Sequence, residues 1–242
     1  MRGHRPAGLQ RDAGPVALFG RTLVLVPHPD DETIGCGGVL ALLGQAGAAV
    51  QVVLFTDGAG SQRHGREVPM ERLRSLRRRE MTAALRELGH GPQCLVSLGL
   101  PDGGVPTRGE PGFDVIVSRL ARITRCFRPH TVLMPTRDDA HPDHRAACAA
   151  GAAACLVAAP DARRLEYPVW GGNEAGRGAW QIDIAAVIDN KRRALALHVS
   201  QRCQVVRDDP EGLTLPSDLL ARCTLPVETY FYASAGHADG CQ

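Results

Sequence analysis

Short apolar runs alternate with segments of helical periodicity along this chain, and this alternation restricts its fold more than any other feature. The runs that are candidate strands span residues 22–27, 50–56, 94–98 and 131–135. Strands separated by helical crossovers pair in parallel, because each helix carries the chain back to the same edge of the sheet. The sequence therefore predicts an α/β fold in which a mainly parallel sheet has helices on both faces.

The segments between the runs predict where the helices lie. Apolar residues recur at three- and four-residue spacing over 112–127 and over 71–88, and Pro129 and Gly89 mark the ends of these two helices. Residues 144–158 are almost all Ala, Cys, Leu and Val, which is typical of a buried helix. The helices thus follow the strand candidates in the order that a parallel sheet requires.

The composition excludes several classes of protein. With 28 basic and 26 acidic residues the net charge is +2, too small for a nucleic-acid footprint. No apolar run is long enough for a membrane span or a signal-peptide core. The eight cysteines form no C-x-x-C pair, so they are interpreted as buried thiols in a reducing compartment. We expect a cytoplasmic protein with one domain over 21–232 and tails at 1–20 and 233–242, and the oligomeric state stays open.

Two strand candidates are followed by the same tripeptide. The run PHPDDE occupies residues 27–32, directly after the first apolar run, and HPDH occupies 141–144, soon after the fourth. Ligands of open α/β sheets bind beyond the carboxyl ends of the strands. Any one of these side chains could simply cap a helix, but capping does not require His-Pro before the acid in both places. The two motifs together therefore predict a metal site.

The predicted site has enough donors for both binding and catalysis. A catalytic zinc commonly takes three protein ligands, often two His and one acid, and His28, Asp31 and His144 can supply that set. Asp30 and His141 then remain beside the metal. Metal-assisted hydrolysis needs two such groups, one that takes a proton from water and one that stabilises charge or returns a proton.

Three charged residues fall on apolar helix stripes. Arg77 lies on the stripe of the helix predicted over 71–88, where a buried guanidinium needs a polar or anionic partner. It either pairs with Glu80 on the same helix or projects into a substrate cleft. A further helix candidate near 188–198 has Lys191 and His198 on its stripe. Lys191 can extend its ammonium group to the surface, and His198 is either a structural histidine or a ligand.

With these residues identified, the sequence resembles the PIG-L or LmbE-like family of metal-dependent N-acetylglucosaminyl de-N-acetylases. The first two motifs carry most of the resemblance, and three weaker ones lie between and after them. The matching segments are PHPDDETIGCGG at 27–38, HPDHRA at 141–146, Arg77-x-x-Glu80, LGLPDG at 98–103, and the K-AL--H-SQ pattern from Lys191 to Gln201.

The resemblance implies a Rossmann-like fold and a Zn²⁺ ion bound by His28, Asp31 and His144, with Fe²⁺ as the alternative metal. It implies that Asp30 is the general base. His141 would stabilise the oxyanion or protonate the leaving amine.

The resemblance also implies roles for four residues around that centre. Residues that match Arg77 and Asp102 contact the substrate in family members with a sugar bound. Asp143 and His198 would orient a metal ligand or the catalytic histidine from the second shell.

The implied reaction is hydrolysis of an acetamide on a small-molecule amino sugar or N-acetylglucosaminyl conjugate, with release of acetate. We expect Tyr167, Trp170 and the Gly-rich turn 171–178 to help shape the substrate pocket. The alternatives are an amidase for another amide-linked glycoside or thiol conjugate, a non-haem iron oxygenase, and a non-catalytic module that binds a nucleotide phosphate. In the last case the phosphate would bind at Gly35, Gly37 and Gly38.

Overall fold

The computed structural model describes residues 14–61, 69–171, 178–201 and 215–233. Seven strands and seven α-helices lie within these ranges. The strands are β1 Thr22–Val26, β2 Val50–Thr56, β3 Leu95–Leu100, β4 Thr131–Pro135, β5 Arg163–Tyr167, β6 Ala179–Asp183 and β7 Val227–Tyr232. The helices are α1 Pro15–Phe19, α2 Asp31–Gln45, α3 Met70–Glu87, α4 Phe113–Phe127, α5 Pro142–Ala158, α6 Ile188–Ala196 and α7 Ser217–Cys223.

All seven strands form one sheet, and the α/β prediction is confirmed. The strand order is β3-β2-β1-β4-β5-β7-β6. Strands β1 to β5 pair in parallel, whereas β7 is antiparallel to both β5 and β6. The order of the parallel strands is that of a Rossmann-like sheet. The chain leaves β1 for β2 on one side and later returns to β4 on the other, so the topological switch point lies between β1 and β4.

Helices cover both faces of the sheet, as predicted. One core contains buried side chains from α2, α3, α6 and α7, such as Leu40, Met81 and Leu195. The other contains side chains from α4 and α5, such as Ile116 and Ala150. With both faces covered, the residues of β1 and β4 are all buried, which explains their continuous apolar character.

The glycines at the start of α2 allow close packing. A Cβ atom added to Gly35 would lie 2.1 Å from the Tyr167 ring, and one added to Gly38 would lie 2.5 Å from the Ile184 side chain. Gly37 is similarly packed against the Lys191 side chain, 3.0 Å from such a Cβ. The three glycines thus face protein atoms, and the hypothesis that they bind a nucleotide phosphate is wrong.

A buried ion pair contacts the backbone of α2. Lys191 Nζ donates to the Ile34 carbonyl at 3.0 Å and pairs with Glu228 Oε1 at 2.6 Å. The same Glu228 oxygen accepts from Gly38 N at 2.7 Å. The pair therefore bridges the carbonyl and amide that an α-helix would join directly. Lys191 is 2% exposed, so the prediction that its ammonium group reaches the surface is wrong.

The core extends into the segment predicted to be an N-terminal tail. Phe19 at the end of α1 is 1% exposed, and its ring stacks on Trp180 at a centroid distance of 5.1 Å. Ordered structure therefore starts before residue 21, since an aromatic side chain at position 19 is buried on the sheet. Residues 1–13 and 234–242 of the predicted tails lie outside the described residues.

Most of the cysteines that the structure describes are buried, as predicted. Of the six cysteines that the structure describes, five are buried and only Cys126 is exposed. Cys203 and Cys241 lie outside the described residues. None of the helices in the described part of the chain is long and apolar enough to cross a membrane.

Candidate metal centre

The two His-Pro-Asp motifs meet at the switch point of the sheet. β1 ends at Val26 and β4 at Pro135, and these neighbouring strands run in parallel, so the loops that follow them share one edge of the sheet. The first loop leads into α2, which begins at Asp31. The second leads into α5, which begins at Pro142.

Three potential ligand atoms converge between the loops. His28 Nδ1 lies 3.2 Å from Asp31 Oδ2 and 3.2 Å from His144 Nε2. The remaining side of the triangle, from His144 Nε2 to Asp31 Oδ2, measures 3.1 Å. The structure therefore brings together the three residues predicted as ligands, each contributing one atom.

The triangle fits a tetrahedral metal ion. Ligand atoms bound to zinc at about 2.0–2.2 Å lie about 3.3–3.6 Å apart when the coordination is tetrahedral, close to the spacing here. All three residues are buried, at 7% exposure for His28, 2% for Asp31 and 0% for His144. Two imidazoles and one carboxylate also form the donor set of many catalytic zinc sites. These residues fit the metal that the motifs predict.

The surrounding charges lower the pKa of Asp31 and raise the pKa of His144. Burial raises the pKa of the Asp31 carboxyl, but its contacts with His144 and His28 outweigh burial and hold the pKa well below its ordinary value. Burial lowers the pKa of His144, but Asp31 and Asp139 outweigh it and raise the pKa to about 9. In the absence of a metal, positive charge on the histidines thus stabilises the buried carboxylate.

A second histidine set could also bind a metal. One ring nitrogen from each of His28, His141 and His144 lies within 4.8 Å of the other two. Asp31 is the better third ligand, because its oxygen is 3.1–3.2 Å from both other donor atoms and carries negative charge. His28, Asp102 and Asp143 form another group within 4.8 Å, on the opposite side of the His28 ring.

Carboxylates hold the His28 ring from behind. Its Nε2 lies 3.1 Å from Asp143 Oδ2 and 3.2 Å from Asp102 Oδ1. The Asp143 carboxylate also accepts from Gly103 N and Val105 N, at 2.8 and 3.2 Å. Asp143 thus lies where the sequence analysis expected it, behind a ligand. Asp102, expected to contact substrate, also faces His28 and accepts from Gly60 N at 2.9 Å.

Asp139 is a functional candidate that the sequence analysis missed. Its Oδ2 lies 3.4 Å from His144 Nδ1, the ring nitrogen that faces away from the ligand triangle. Its carboxylate also accepts from His141 N at 2.8 Å and from Trp170 N at 3.2 Å. Metal-binding histidines usually have a carboxylate or carbonyl at their second nitrogen. An acid shortly before the HPDH motif is the only sequence signal for this residue.

Asp30 lies beside the ligands in an unusual conformation. It precedes α2 with φ 129° and ψ −27°, a region that non-glycine residues rarely occupy. Burial raises the pKa of its carboxyl to about 7, while the Arg77 guanidinium opposes this shift. A carboxylate with a pKa near neutrality is suited to general-base catalysis.

Among the described residues, Arg77 forms its ion pair with Asp30 and not with Glu80. It is 2% exposed, and its Nη2 lies 3.2 Å from Asp30 Oδ2 and 2.6 Å from the Pro29 carbonyl oxygen. Glu80 accepts instead from Ser200 N and Oγ, at 2.9 and 2.6 Å. Of the two alternatives for Arg77, the pair with Glu80 is therefore not the arrangement found, and the guanidinium lies against the Asp30 carboxylate.

His141 is held by its own helix. Its Nδ1 accepts from Asp143 N at 3.2 Å, which makes His141 the N-cap of α5. Its ring lies 4.6 Å from that of His28, centroid to centroid. Burial lowers the pKa of His141, and the neighbouring His28 and His144 lower it further. A neutral ring whose Nδ1 is an acceptor has its proton on Nε2, so Nε2 is the donor of this ring.

His198 contacts Glu32 instead of a metal ligand. Its Nε2 lies 3.3 Å from Glu32 Oε1 and 3.2 Å from Thr33 Oγ1. Its described contacts include neither the three predicted ligands nor His141, so the expectation that it orients one of them is not the arrangement found. Glu32, which had no predicted role, is 0% exposed and accepts from Asp30 N at 3.0 Å.

Of the residues predicted to shape the substrate pocket, Tyr167 lies in the core. Tyr167 is 0% exposed, and its hydroxyl donates to the Leu25 carbonyl at 2.7 Å, so it belongs to the core. The Trp170 amide supports Asp139. Of the Gly-rich turn, residues 172–177 lie outside the described residues.

Comparisons with known proteins agree with the motifs. The family model described as GlcNAc-PI de-N-acetylase matches residues 23–155, more than half of the chain. A deacetylase of 1D-myo-inositol 2-acetamido-2-deoxy-α-D-glucopyranoside from Mycolicibacterium paratuberculosis is 37% identical over 144 residues, which cover 51% of this chain and 47% of that protein. The chain thus spans about half the length of that relative.

A second relative and a solved structure extend the similarity. The deacetylase of the same name from Rhodococcus erythropolis is 30% identical over 237 residues, covering 75% of this chain and 81% of that protein. The N,N'-diacetylchitobiose deacetylase from Pyrococcus horikoshii has the same fold, with a TM-score of 0.63 at 22% identity over 89% of this chain and 77% of that one. The chain belongs to the GlcNAc-PI de-N-acetylase family.

Proposed function

We propose that this protein is a metal-dependent hydrolase that removes the N-acetyl group from an N-acetylglucosaminyl conjugate and releases acetate. The observation that carries the proposal is the triangle of His28 Nδ1, Asp31 Oδ2 and His144 Nε2, with sides of 3.1–3.2 Å, next to Asp30. Family membership favours amide hydrolysis over the iron oxygenase reaction that the same donor set would allow.

The proposed mechanism assigns one task to each group of residues. His28, Asp31 and His144 would hold the metal, which when bound polarises an amide carbonyl and lowers the pKa of water. Asp30 takes a proton from the attacking water. His141 Nε2–H donates to the oxyanion of the tetrahedral intermediate, since its Nδ1 is occupied by the Asp143 amide. Return of a proton to nitrogen then releases the amine and acetate.

The substrate proposal rests on the relatives. Their names describe deacetylases of an N-acetylglucosaminyl inositol, and we propose a substrate of this class as the first to test. The substrate is a small molecule, and the net charge of +2 gives no reason to expect nucleic acid as a partner. We propose a cytoplasmic location, because buried cysteines predominate among those described.

The test is an acetate-release assay with N-acetylated amino sugars. Chelated protein reconstituted with Zn²⁺ is incubated with N-acetylglucosaminyl inositol, N,N'-diacetylchitobiose and free N-acetylglucosamine. We expect acetate release that chelation abolishes and zinc restores. A panel that yields no acetate but releases a larger acid from thiol-conjugated glycosides would replace deacetylation by the amidase alternative.

Zinc is the proposed metal, with Fe²⁺ as the alternative. Both ions accept two imidazoles and a carboxylate, and cellular availability affects which one loads. Metal analysis after anaerobic purification, combined with activity measured on each reconstituted form, identifies the physiological ion. Full activity with Fe²⁺ and little with Zn²⁺ would overturn the zinc proposal without affecting the ligands.

A further inference from the structure

Two buried charged side chains hold one peptide group, the group that joins Pro29 to Asp30. Its carbonyl oxygen accepts from Arg77 Nη2 at 2.6 Å, and its N–H donates to Glu32 Oε2 at 3.0 Å. We propose that Arg77, Glu32 and His198 form a clamp whose function is to position the general base. This inference rests on the proposed function, because it takes Asp30 as the base.

Arg77 fixes the carbonyl side of the peptide and the carboxylate together. The same Nη2 atom that binds Pro29 lies 3.2 Å from Asp30 Oδ2, and Nη1 donates to the Gly58 carbonyl. A planar guanidinium with several donors can hold these acceptors in one fixed arrangement. It is 2% exposed, and this burial beside Asp30 suits a role in positioning the base.

Glu32 fixes the amide side of the peptide. Its other oxygen, Oε1, accepts from Thr33 Oγ1 at 2.8 Å and lies 3.3 Å from His198 Nε2. Both carboxylate oxygens of the fully buried Glu32 side chain therefore have partners. Oε2 accepts from the Asp30 amide, and Oε1 contacts Thr33 and His198. Burial lowers the pKa of His198, but the Glu32 carboxylate outweighs burial and raises that pKa.

The clamp explains how Asp30 keeps its backbone conformation. A non-glycine residue at φ 129° persists only where surrounding contacts determine it, and such residues concentrate at functional sites. Here the preceding peptide cannot rotate without breaking a charge-assisted hydrogen bond at each end. The carboxylate of Asp30 is thereby directed to one place beside the predicted ligands.

The clamp is also anchored to the rest of the fold. His198 follows α6, and two residues later Ser200 donates from N and Oγ to Glu80 on α3. Arg77 lies on the same helix, one turn before Glu80. Both arms of the clamp thus depend on α3, which accounts for the Arg77-x-x-Glu80 pattern and for the His198 and Ser200 positions noted in the sequence.

The test compares Glu32→Ala with Glu32→Gln. The alanine variant loses the acceptor for the Asp30 amide, so we expect hydrogen exchange of that amide to accelerate. We also expect kcat to fall by about tenfold to a hundredfold, the usual range for an outer-shell residue, with KM and zinc affinity unchanged. The glutamine variant keeps one carbonyl oxygen and should recover most of the kcat and of the amide protection.

The control is a second buried histidine next to α2. His90 is 7% exposed, and its Nε2 contacts the Leu40 carbonyl at 2.9 Å, away from the motif loops. His90→Gln should leave kcat and exchange of the Asp30 amide as in the wild type, whereas His198→Gln should lower kcat and accelerate that exchange. This pair separates loss of the clamp from the general cost of replacing a buried histidine.

Amide exchange, followed by NMR in the metal-free protein, needs no substrate and therefore remains informative if the proposed reaction is wrong. Slow exchange of the wild-type Asp30 amide and fast exchange in folded Glu32→Ala would support the clamp even without detectable deacetylation. Should Glu32→Ala not fold, the wild-type exchange rate and His198→Gln decide instead. Fast wild-type exchange, or folded Glu32→Ala with wild-type kcat and amide protection, would overturn the inference.

Discussion

The two loops that build the site contain the same tripeptide, yet its residues have different roles in each. In His28-Pro29-Asp30 the histidine is a predicted ligand and the aspartate is the proposed base. In the tripeptide at 141–143 the histidine is the proposed oxyanion donor, and Asp143 supports the ligand His28. The difference follows from where the helix begins, after the aspartate in the first loop and after the histidine in the second.

The proposed roles follow the position of each residue relative to the helix. Asp30 and His141 are both N-cap residues, and both are the groups assigned to proton transfer or charge stabilisation. The predicted ligands Asp31 and His144 both lie in the first turn of the following helix. The shared tripeptide alone would give His28 and His141 one role, and Asp30 and Asp143 another. The proposed roles differ within both pairs.

The largest expected contrast is between the two histidines of the second loop. In His144→Ala, zinc affinity should fall by more than about 100-fold, which is the largest loss usual for residues that only support a ligand. No turnover should be measurable. His141→Ala should bind zinc normally and lose about 10²–10⁴-fold in kcat, because only a donor is removed. Zinc titration and acetate release measure the two effects. Loss of zinc in His141→Ala would make His141 a ligand.

The next contrast compares the aspartates of the two tripeptides. Asp30→Asn should keep zinc and lose about 10²–10⁴-fold in kcat, since asparagine cannot accept the proton. In Asp143→Asn, kcat should fall by about tenfold to a hundredfold, because this change weakens only the contact that supports His28. Steady-state kinetics at matched zinc occupancy provide the comparison. Near-normal turnover by Asp30→Asn would remove Asp30 as the base.

The third prediction concerns Asp139, which lies outside both tripeptides. Its carboxylate faces His144 Nδ1 at 3.4 Å, so Asp139→Asn should weaken zinc binding by about tenfold to a hundredfold. Competition with a chelating dye measures this change. Asp138→Asn, which alters the adjacent carboxylate in the sequence, is the matched control, and an equal loss in both variants would point to net charge as the cause.

The smallest expected effect concerns the helices that follow the two loops. A Cβ at Gly35 in α2 would lie 2.1 Å from the Tyr167 ring, whereas one at Gly151 in α5 would lie 2.3 Å from a Leu25 methyl group. A methyl group at the end of a flexible side chain can move, but a buried ring cannot easily do so. Gly35→Ala should therefore destabilise the fold by about 1–3 kcal/mol in urea unfolding, and Gly151→Ala by less.

Much of the fold could be predicted because β1, β2 and β4, at the centre of the sheet, are almost entirely buried, while the edge strand β3 is half-buried. Their continuous apolar character identified β1, β2 and β4 closely and β3 within about two residues. Strands β5, β6 and β7 were not identified. β6 alternates exposed and buried positions over only five residues, and β7 contains the buried Glu228, whose partner Lys191 is distant in sequence. Such pairing depends on tertiary contacts that periodicity does not report.

The same limit applies to the site. The convergence of His28, Asp31 and His144 was predictable because each motif places several chemical groups within a few residues at a strand end. Asp139 was missed because one acid in a loop resembles any other, and its role depends on where the His144 ring points. The contact between Arg77 and Asp30 was not predicted, because helix spacing suggests only Glu80 as a partner, whereas the fold brings Asp30 to it from another loop.

The central claim is that the two loops bind one metal through unequal use of their histidines. A crystal structure of the zinc-loaded protein, with anomalous data at the zinc absorption edge, measures this directly. The account predicts one ion bound by His28 Nδ1, Asp31 Oδ2 and His144 Nε2, with His141 outside the coordination sphere. An ion bound by His28, His141 and His144, with Asp31 not coordinated, would contradict it.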